Sequence, residues 1–222
     1  MSYLIRVLLP DSPGSLGELA EAIGVIDGNI QSVDIVENFP DGTDMDDIVV
    51  QLPTGTLADA LITACNSVEG VEVDSIRPFS GRVDRRGQIQ LLASIASKVS
   101  NVTNAMEQLV DAIPQALTSN WALVVDNKEP IHRVASSPGA PTDDGTVPNT
   151  IGVDHARVLH PETEAWIPES WSLLDSSLAA APLGNTGLVL IIGRIGGPDY
   201  LASEVDHLGN LGTILGAFLK TK

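Results

Sequence analysis

Two short turns hold the residue types best suited to small-molecule chemistry. The first, Asp11-Ser12-Pro13-Gly14-Ser15-Leu16, follows an apolar run at residues 4–9; the second is Asp27-Gly28-Asn29-Ile30. A glycine where a strand passes into a helix lets backbone N–H groups come close to a ligand. No catalytic constellation elsewhere in the chain competes with this pair. Gly193-Arg194-Ile195-Gly196-Gly197 follows a strand-like run, but lacks the ending and spacing of a phosphate-binding loop and reads as a hairpin turn. His132, His155, His160 and His207 have no metal-ligand spacing, and Asp154 beside His155 points only to a local hydrogen bond. There is no G-x-S-x-G elbow. Two groups keep alternative readings. Asp44, Asp46 and Asp47 form a cation site or a solvated loop, and Trp121, Trp166 and Trp171 wall a pocket or fill a core.

The elements that must position the turns follow from hydrophobic periodicity. Residues 4–9 read as a strand, and Leu16, Leu19, Ala20 and Ile23, at i, i+3, i+4 and i+7, as a helix. That helix starts either at Ser12 with Pro13 in the first helical position, the favoured choice, or at a Ser15/Glu18 capping box. Residues 30–36 and 47–52 read as strands joined by a polar loop at 38–44, with Ile48, Val50 and Leu52 on one face. Thr56 is the expected cap of a helix carrying Leu57, Leu61 and Cys65, and residues 71–76 supply a last strand. The order is βαββαβ, a ferredoxin-like α+β plan with two helices on one face of an antiparallel sheet, over residues 1–79.

A polar, glycine-bounded linker at 80–87 leads to a second, α/β domain at 88–222. It opens with one long helix in which Leu92, Ile95, Val99, Val102, Met106, Leu109 and Ile113 recur every three or four residues. This stripe is buried on the domain's own sheet, or also forms a seam with a second copy of the chain. A hairpin at 121–136 and a Pro/Gly/Thr-rich loop at 137–150 follow, the loop being either a lid over a pocket or mobile. A short helix at 153–159, strands near 177–183 and 188–194, and a helix at 200–219 complete the domain.

Composition narrows the function classes. The chain of 222 residues has 12 Lys and Arg against 29 Asp and Glu, a formal net charge of −17. Such a chain is ill suited to a phosphate backbone or an anionic membrane, so no nucleic-acid and no membrane partner is expected. No apolar stretch is long enough to span a bilayer, and the N-terminus lacks a signal-peptide pattern, so the expected location is cytoplasmic. The single cysteine, Cys65, reads as a buried small hydrophobe. No cofactor or metal is expected.

The Asp-x-Pro-Gly-x-Leu turn and the Gly28-Asn29-Ile30 segment, in their βαββαβ setting, resemble the ACT domain family of small-molecule-binding regulatory modules. The resemblance implies that an amino acid binds at the turn and the second strand, commonly across a dimer interface. It nominates Asp11, Ser12, Pro13, Gly14, Ser15 and Leu16 from the turn and Asn29, Ile30 and Gln31 from the strand as ligand-binding residues. N–H groups at a helix N-terminus suit a carboxylate, and the Asn29 amide can both donate and accept. The run Leu188-Val-Leu-Ile-Ile192, the Gly196-Gly-Pro198 turn and the closing helix look like the end of a GAF domain, a sensor module whose terminal helices often pack into dimer bundles. Together these resemblances imply a non-catalytic, homodimeric sensor or regulator acting on an unidentified protein. The alternative is an enzyme whose second domain is catalytic and whose first is its allosteric control.

Overall fold

The structure, a computed structural model of the chain, describes residues 1–79, 85–98, 100–143, 145–146 and 148–220. The chain divides into two compact units, Met1–Val83 and Asp84–Lys222. Most of the expected linker, residues 80–84, lies outside the described residues, while residues 85–87 belong to the first helix of the second unit.

The first unit runs β1 (Ser2–Pro10), α1 (Ser15–Val25), β2 (Asn29–Asn38), β3 (Thr43–Gln51), α2 (Ala58–Asn66) and β4 (Glu72–Pro78). Its sheet has the order β2-β3-β1-β4 with every neighbour antiparallel. Alternate residues Ile5, Val7 and Leu9 of β1 and Ile48 and Val50 of β3 pack with Leu19 and Ile23 of α1 and Leu61 and Cys65 of α2. Cys65 is fully buried, and desolvation pushes its thiol up to about 11.

Three local expectations are corrected. Helix α1 starts at Ser15, and its cap is Gly14, not Ser12; no side chain caps it. Ser15 N–H bonds to the Ser12 carbonyl at 3.2 Å, and Gly14 has φ +106°. Pro13 and Gly14 thus occupy the central positions of a tight turn of the type II kind, which demands a positive φ at its third residue. That turn removes Pro13 from the helix. At α2 the cap position is Leu57, because Thr56 is held in a turn by its N–H bond to the Pro53 carbonyl.

The third correction concerns the acidic run. Asp44, Asp46 and Asp47 are not in a solvated loop but in β3, at 8%, 3% and 2% exposure. Asp47 accepts two hydrogen bonds from the buried Arg6 guanidinium, at 2.7 and 2.9 Å. Asp46 lies opposite Val7, and its Oδ1 has no hydrogen-bond partner among the described residues. Desolvation first, then the charges of Asp44, Asp34 and Asp47, raise its carboxyl from 3.8 to about 6. The folded form therefore holds this proton at pH values where the unfolded chain has lost it. The associated stability is intact below the unfolded value of 3.8 and is lost as pH rises towards about 6. Asp46→Asn removes the ionisation. It is expected to raise unfolding stability at pH 7 by up to about 3 kcal/mol, with little gain near pH 3.5, checked by urea unfolding at both pH values.

The second unit contains α3 (Arg85–Lys98), α4 (Val102–Ala116), β5 (Trp121–Asp126), β6 (His132–Ser136), β7 (Arg157–Leu159), a 3-10 turn (Glu169–Trp171), β8 (Ser176–Pro182), β9 (Leu188–Ile195) and α5 (Ala202–Lys220). Its sheet has the order β6-β5-β9-β8-β7, again antiparallel throughout. Strand periodicity divides the side chains between two buried faces. Ala122, Val124, Ala179, Ala181, Leu190 and Ile192 pack with Ile95, Met106, Leu109, Ile113, Leu208 and Leu215 from the helices. On the other face, Trp121, Leu123, Leu178, Ala180, Val189 and Ile191 meet Ile151, Val153, Ile167 and Trp171, which come from the loops. The unit is a layer of helices, a sheet and a layer of loops.

The expected single opening helix is two. Asn101 caps α4, its side chain accepting from the Asn104 N–H at 3.2 Å, because asparagine competes for backbone donors and so starts helices better than it continues them. Ile95, Met106, Leu109 and Ile113 are fully buried in the unit's own core, whereas Val102 of the same stripe is exposed. Val99 lies outside the described residues. The short helix expected at 153–159 is instead β7, zipped to β8 with Arg157 opposite Ala180. Gly196 and Gly197, with φ +69° and +73°, lead from β9 towards α5 and do not turn a hairpin.

Arg194 near the end of β9 joins the helical layer to this connection. Its side chain is fully buried, donating to the Thr118 carbonyl and hydroxyl at 3.2 and 3.0 Å, to the Pro198 carbonyl at 3.1 Å and to Glu204 at 2.7 Å. Its guanidinium also stacks over the Tyr200 ring, 4.2 Å from the centroid. Glu204 in turn accepts from the Leu201 N–H at 2.9 Å, fixing the start of α5.

Candidate functional site

In the first unit the nominated residues fall into two groups. Asp11, Ser12, Pro13 and Gly14 are exposed at the end of β1, where the Asp11 N–H bonds to the Gly42 carbonyl at 2.9 Å. Ser15 is half-buried, its hydroxyl 2.7 Å from that of Ser12, and Leu16 is 40% exposed rather than part of the core. The next backbone N–H groups of α1 belong to a first helical turn, which leaves its donors without intrahelical partners.

Asn29, Ile30 and Gln31 begin β2, with Asn29 exposed and the other two half-buried. Gln31 donates to the Gln51 side chain at 3.4 Å. Asn29 lies opposite Gln51, which lies opposite Ser2, whereas the turn lies beyond Pro10. The eight steps from Ser2 to Pro10 put the two groups about 26 Å apart along the sheet. One chain therefore does not bring the two halves of the nominated site together. The β1–α1 turn instead neighbours the far end of β2, where Asn38 donates to Asp44 at 2.5 Å.

The second unit holds an open cleft of about 460 Å³ on its loop face. Pro148, Asn149, Thr150, Trp166, Ile167 and Glu169 are among the residues that line it. Its framework is a charged network. Arg157 grips Glu164 with both nitrogens, at 2.7 and 2.5 Å, and Glu164 also accepts from the His160 N–H at 2.8 Å and from Trp166 Nε1 at 2.9 Å. The hydrogen bonds from Arg157 outweigh desolvation and hold the Glu164 carboxyl down at about 2. Trp171 meets Trp166 edge-on, with centroids 6.4 Å apart.

The three tryptophans thus take both roles considered for them. Trp121 and Trp171 are core residues at 1% and 3% exposure, and Trp166 walls the cleft. The aperiodic loop at 137–150 supplies Asn149 and Thr150 to the cleft. Glu169 gives no signal in the sequence, since a single exposed glutamate has no period and no spacing partner. The Asp154–His155 pair is the local hydrogen bond expected, 2.6 Å, and is exposed. Among the described residues, no group of three His, Cys, Asp or Glu is placed to hold a metal ion. No helix among them is long and apolar enough to cross a membrane.

No protein-family model and no curated protein sequence matches the chain. Among solved structures it is similar to the GAF domain of a phosphoenolpyruvate-protein phosphotransferase from Coxiella burnetii, at 14% identity over 60% of this chain and 93% of that one, with a TM-score of 0.46. It is also similar to the GAF domain of A. aeolicus nlh2 in an inactive state, at 12% identity over 61% and 97% of the two chains and a TM-score of 0.40. A third similar structure is free methionine-R-sulfoxide reductase from Neisseria meningitidis in complex with its substrate, at 16% identity over 64% and 95% and a TM-score of 0.42. At these identities and scores the likeness decides nothing about binding or catalysis, which the chain's own geometry must carry.

Proposed function

We propose that the chain is a cytoplasmic, non-catalytic regulator with an ACT-like first unit that binds an amino acid and a GAF-like second unit. The observation that carries this reading is the exposed Pro13-Gly14 turn, held open by the positive φ of Gly14 at the junction of β1 and α1. Its backbone donors suit a carboxylate, and Asn29 suits an ammonium and carboxylate together. The sheet order β2-β3-β1-β4 with both helices packed on one face supports the ACT-like assignment. The layering of helices, antiparallel sheet and cleft-bearing loops supports the GAF-like one.

A ligand touching both nominated groups requires two copies of the chain. Support for such pairing comes from β2, an edge strand whose Val33 and Ile35 are 37% and 56% exposed. Exposed apolar edges are templates for pairing. A two-fold antiparallel pairing of β2 would set residue 29 of one copy opposite residue 38 of the other, at the end of the sheet that carries the turn. The regulated partner protein would then read the arrangement of the pair.

A thermal-shift screen with the common amino acids tests the proposal, because a ligand of the native state raises the midpoint. At least one amino acid is expected to raise it, and Asn29→Ala is expected to reduce that shift while leaving the unliganded midpoint unchanged. Gly14→Val should also reduce it, at some cost in stability from the strained φ. Light scattering should give a dimeric mass, reverted to monomer by Ile35→Lys. A monomeric wild-type mass, or no shift with any amino acid, counts against the reading.

A further inference from the structure

The cleft of the second unit has a chemistry independent of the turn in the first. Trp166 is locked before any ligand arrives. Its Nε1 is already committed to Glu164, that carboxylate is clamped by Arg157, and Trp171 braces the indole edge-on. With its only donor spent, the ring gives the cleft an aromatic surface without a hydrogen-bond donor. Such a face attracts cations and apolar groups and offers nothing to an anion. Pro148 and Ile167 extend the apolar surface.

Among the described residues Glu169 is the one charged residue lining the cleft, and its side chain is exposed. Its carboxylate makes no hydrogen bond or ion pair among the described residues, whereas that of Glu164 is held by Arg157, the His160 N–H and Trp166. An aromatic wall, an available carboxylate and a polar rim of Asn149 and Thr150 define one ligand class. The size fits: small-molecule pockets span roughly 300–1,000 Å³. The net charge of −17 also favours the approach of cations over anions.

We propose that this cleft binds a small organic cation, an ammonium on an apolar body, with the ammonium at Glu169 and the body against the Trp166 ring. Because the ring and its frame are already in place, binding costs little rearrangement.

Three probes with the same aromatic body and different heads test the assignment on the full-length protein at pH 7. These are 2-phenylethylamine, 2-phenylethanol and 3-phenylpropanoate, followed by calorimetry and tryptophan emission. The amine is expected to bind in the millimolar range and perturb the emission. The alcohol should be weaker by about fivefold, the scale of an exposed ion pair, and the carboxylate weaker still. Glu169→Gln should bring the amine down to the affinity of the alcohol. Glu162→Gln, an exposed carboxylate outside the residues that line the cleft, should leave it unchanged. Trp166→Phe, which keeps an aromatic face, should retain binding. Equal affinity for amine and alcohol, no response to Glu169→Gln, or no binding of the amine at millimolar concentration each overturns the proposal.

Discussion

Arg194→Leu is expected to destabilise the second unit by about 3–5 kcal/mol, the usual cost of removing one partner from a buried ion pair. The guanidinium is fully buried and serves Thr118, Pro198 and Glu204 at once, so leucine leaves several buried acceptors and a carboxylate without their donor. Arg194→Lys keeps the charge but not the planar fork, and should lose an intermediate amount. Glu204→Gln removes one contact of the set and should cost less than either. Urea unfolding followed by tryptophan emission checks the series, since Trp121, Trp166 and Trp171 all lie in the second unit. A loss below 1 kcal/mol for Arg194→Leu would show that the helical layer does not depend on this hub.

Gly193→Val is expected to be nearly as damaging, for a different reason. Gly193 lies opposite Trp121 in the paired strands, and a Cβ added there would overlap the Trp121 indole. The ring is 1% exposed and part of the loop-side core, so it cannot swing aside into solvent. Overpacking usually costs about 1–3 kcal/mol, and overlap with a buried ring puts this case at the top of that range. Trp121→Leu is also destabilising alone, through the space it leaves. The double variant should lose less than the two singles added together, because each change relieves the other. Additive losses in the double-mutant cycle would mean that the two sites do not share this space.

These two residues show what the sequence could and could not reveal. The strand carrying them was legible from its unbroken apolar run, 188–192, as was α5 from its three- and four-residue spacing. Arg194 looked like part of a glycine turn, because its partners Thr118 and Glu204 are 76 and 10 residues away and no local pattern announces them. Periodicity also misled at Asn101. Ile95 and Val102 stay in step across the break between α3 and α4, so the spacing alone read as one helix. The acidic run in β3 defeated the rule that charges mark loops, since only a cross-strand arginine, Arg6, makes Asp47 tolerable inside. In the candidate site, the turn was readable from proline and glycine. The distance between the turn and Asn29 was not, because it depends on strand order.

Gly193 and Arg194 are adjacent in the chain, yet one meets the tryptophan layer and the other the helical layer. Moving β9 by a single residue one way would drive the guanidinium towards the Trp121 ring; moving it the other way would press Ile192 on that ring and leave Glu204 facing an empty glycine. The strand is thereby keyed to one position, as a notched bolt is. Any signal crossing the second unit must pass by tilting or lifting whole layers, since sliding of β9 is blocked from both sides.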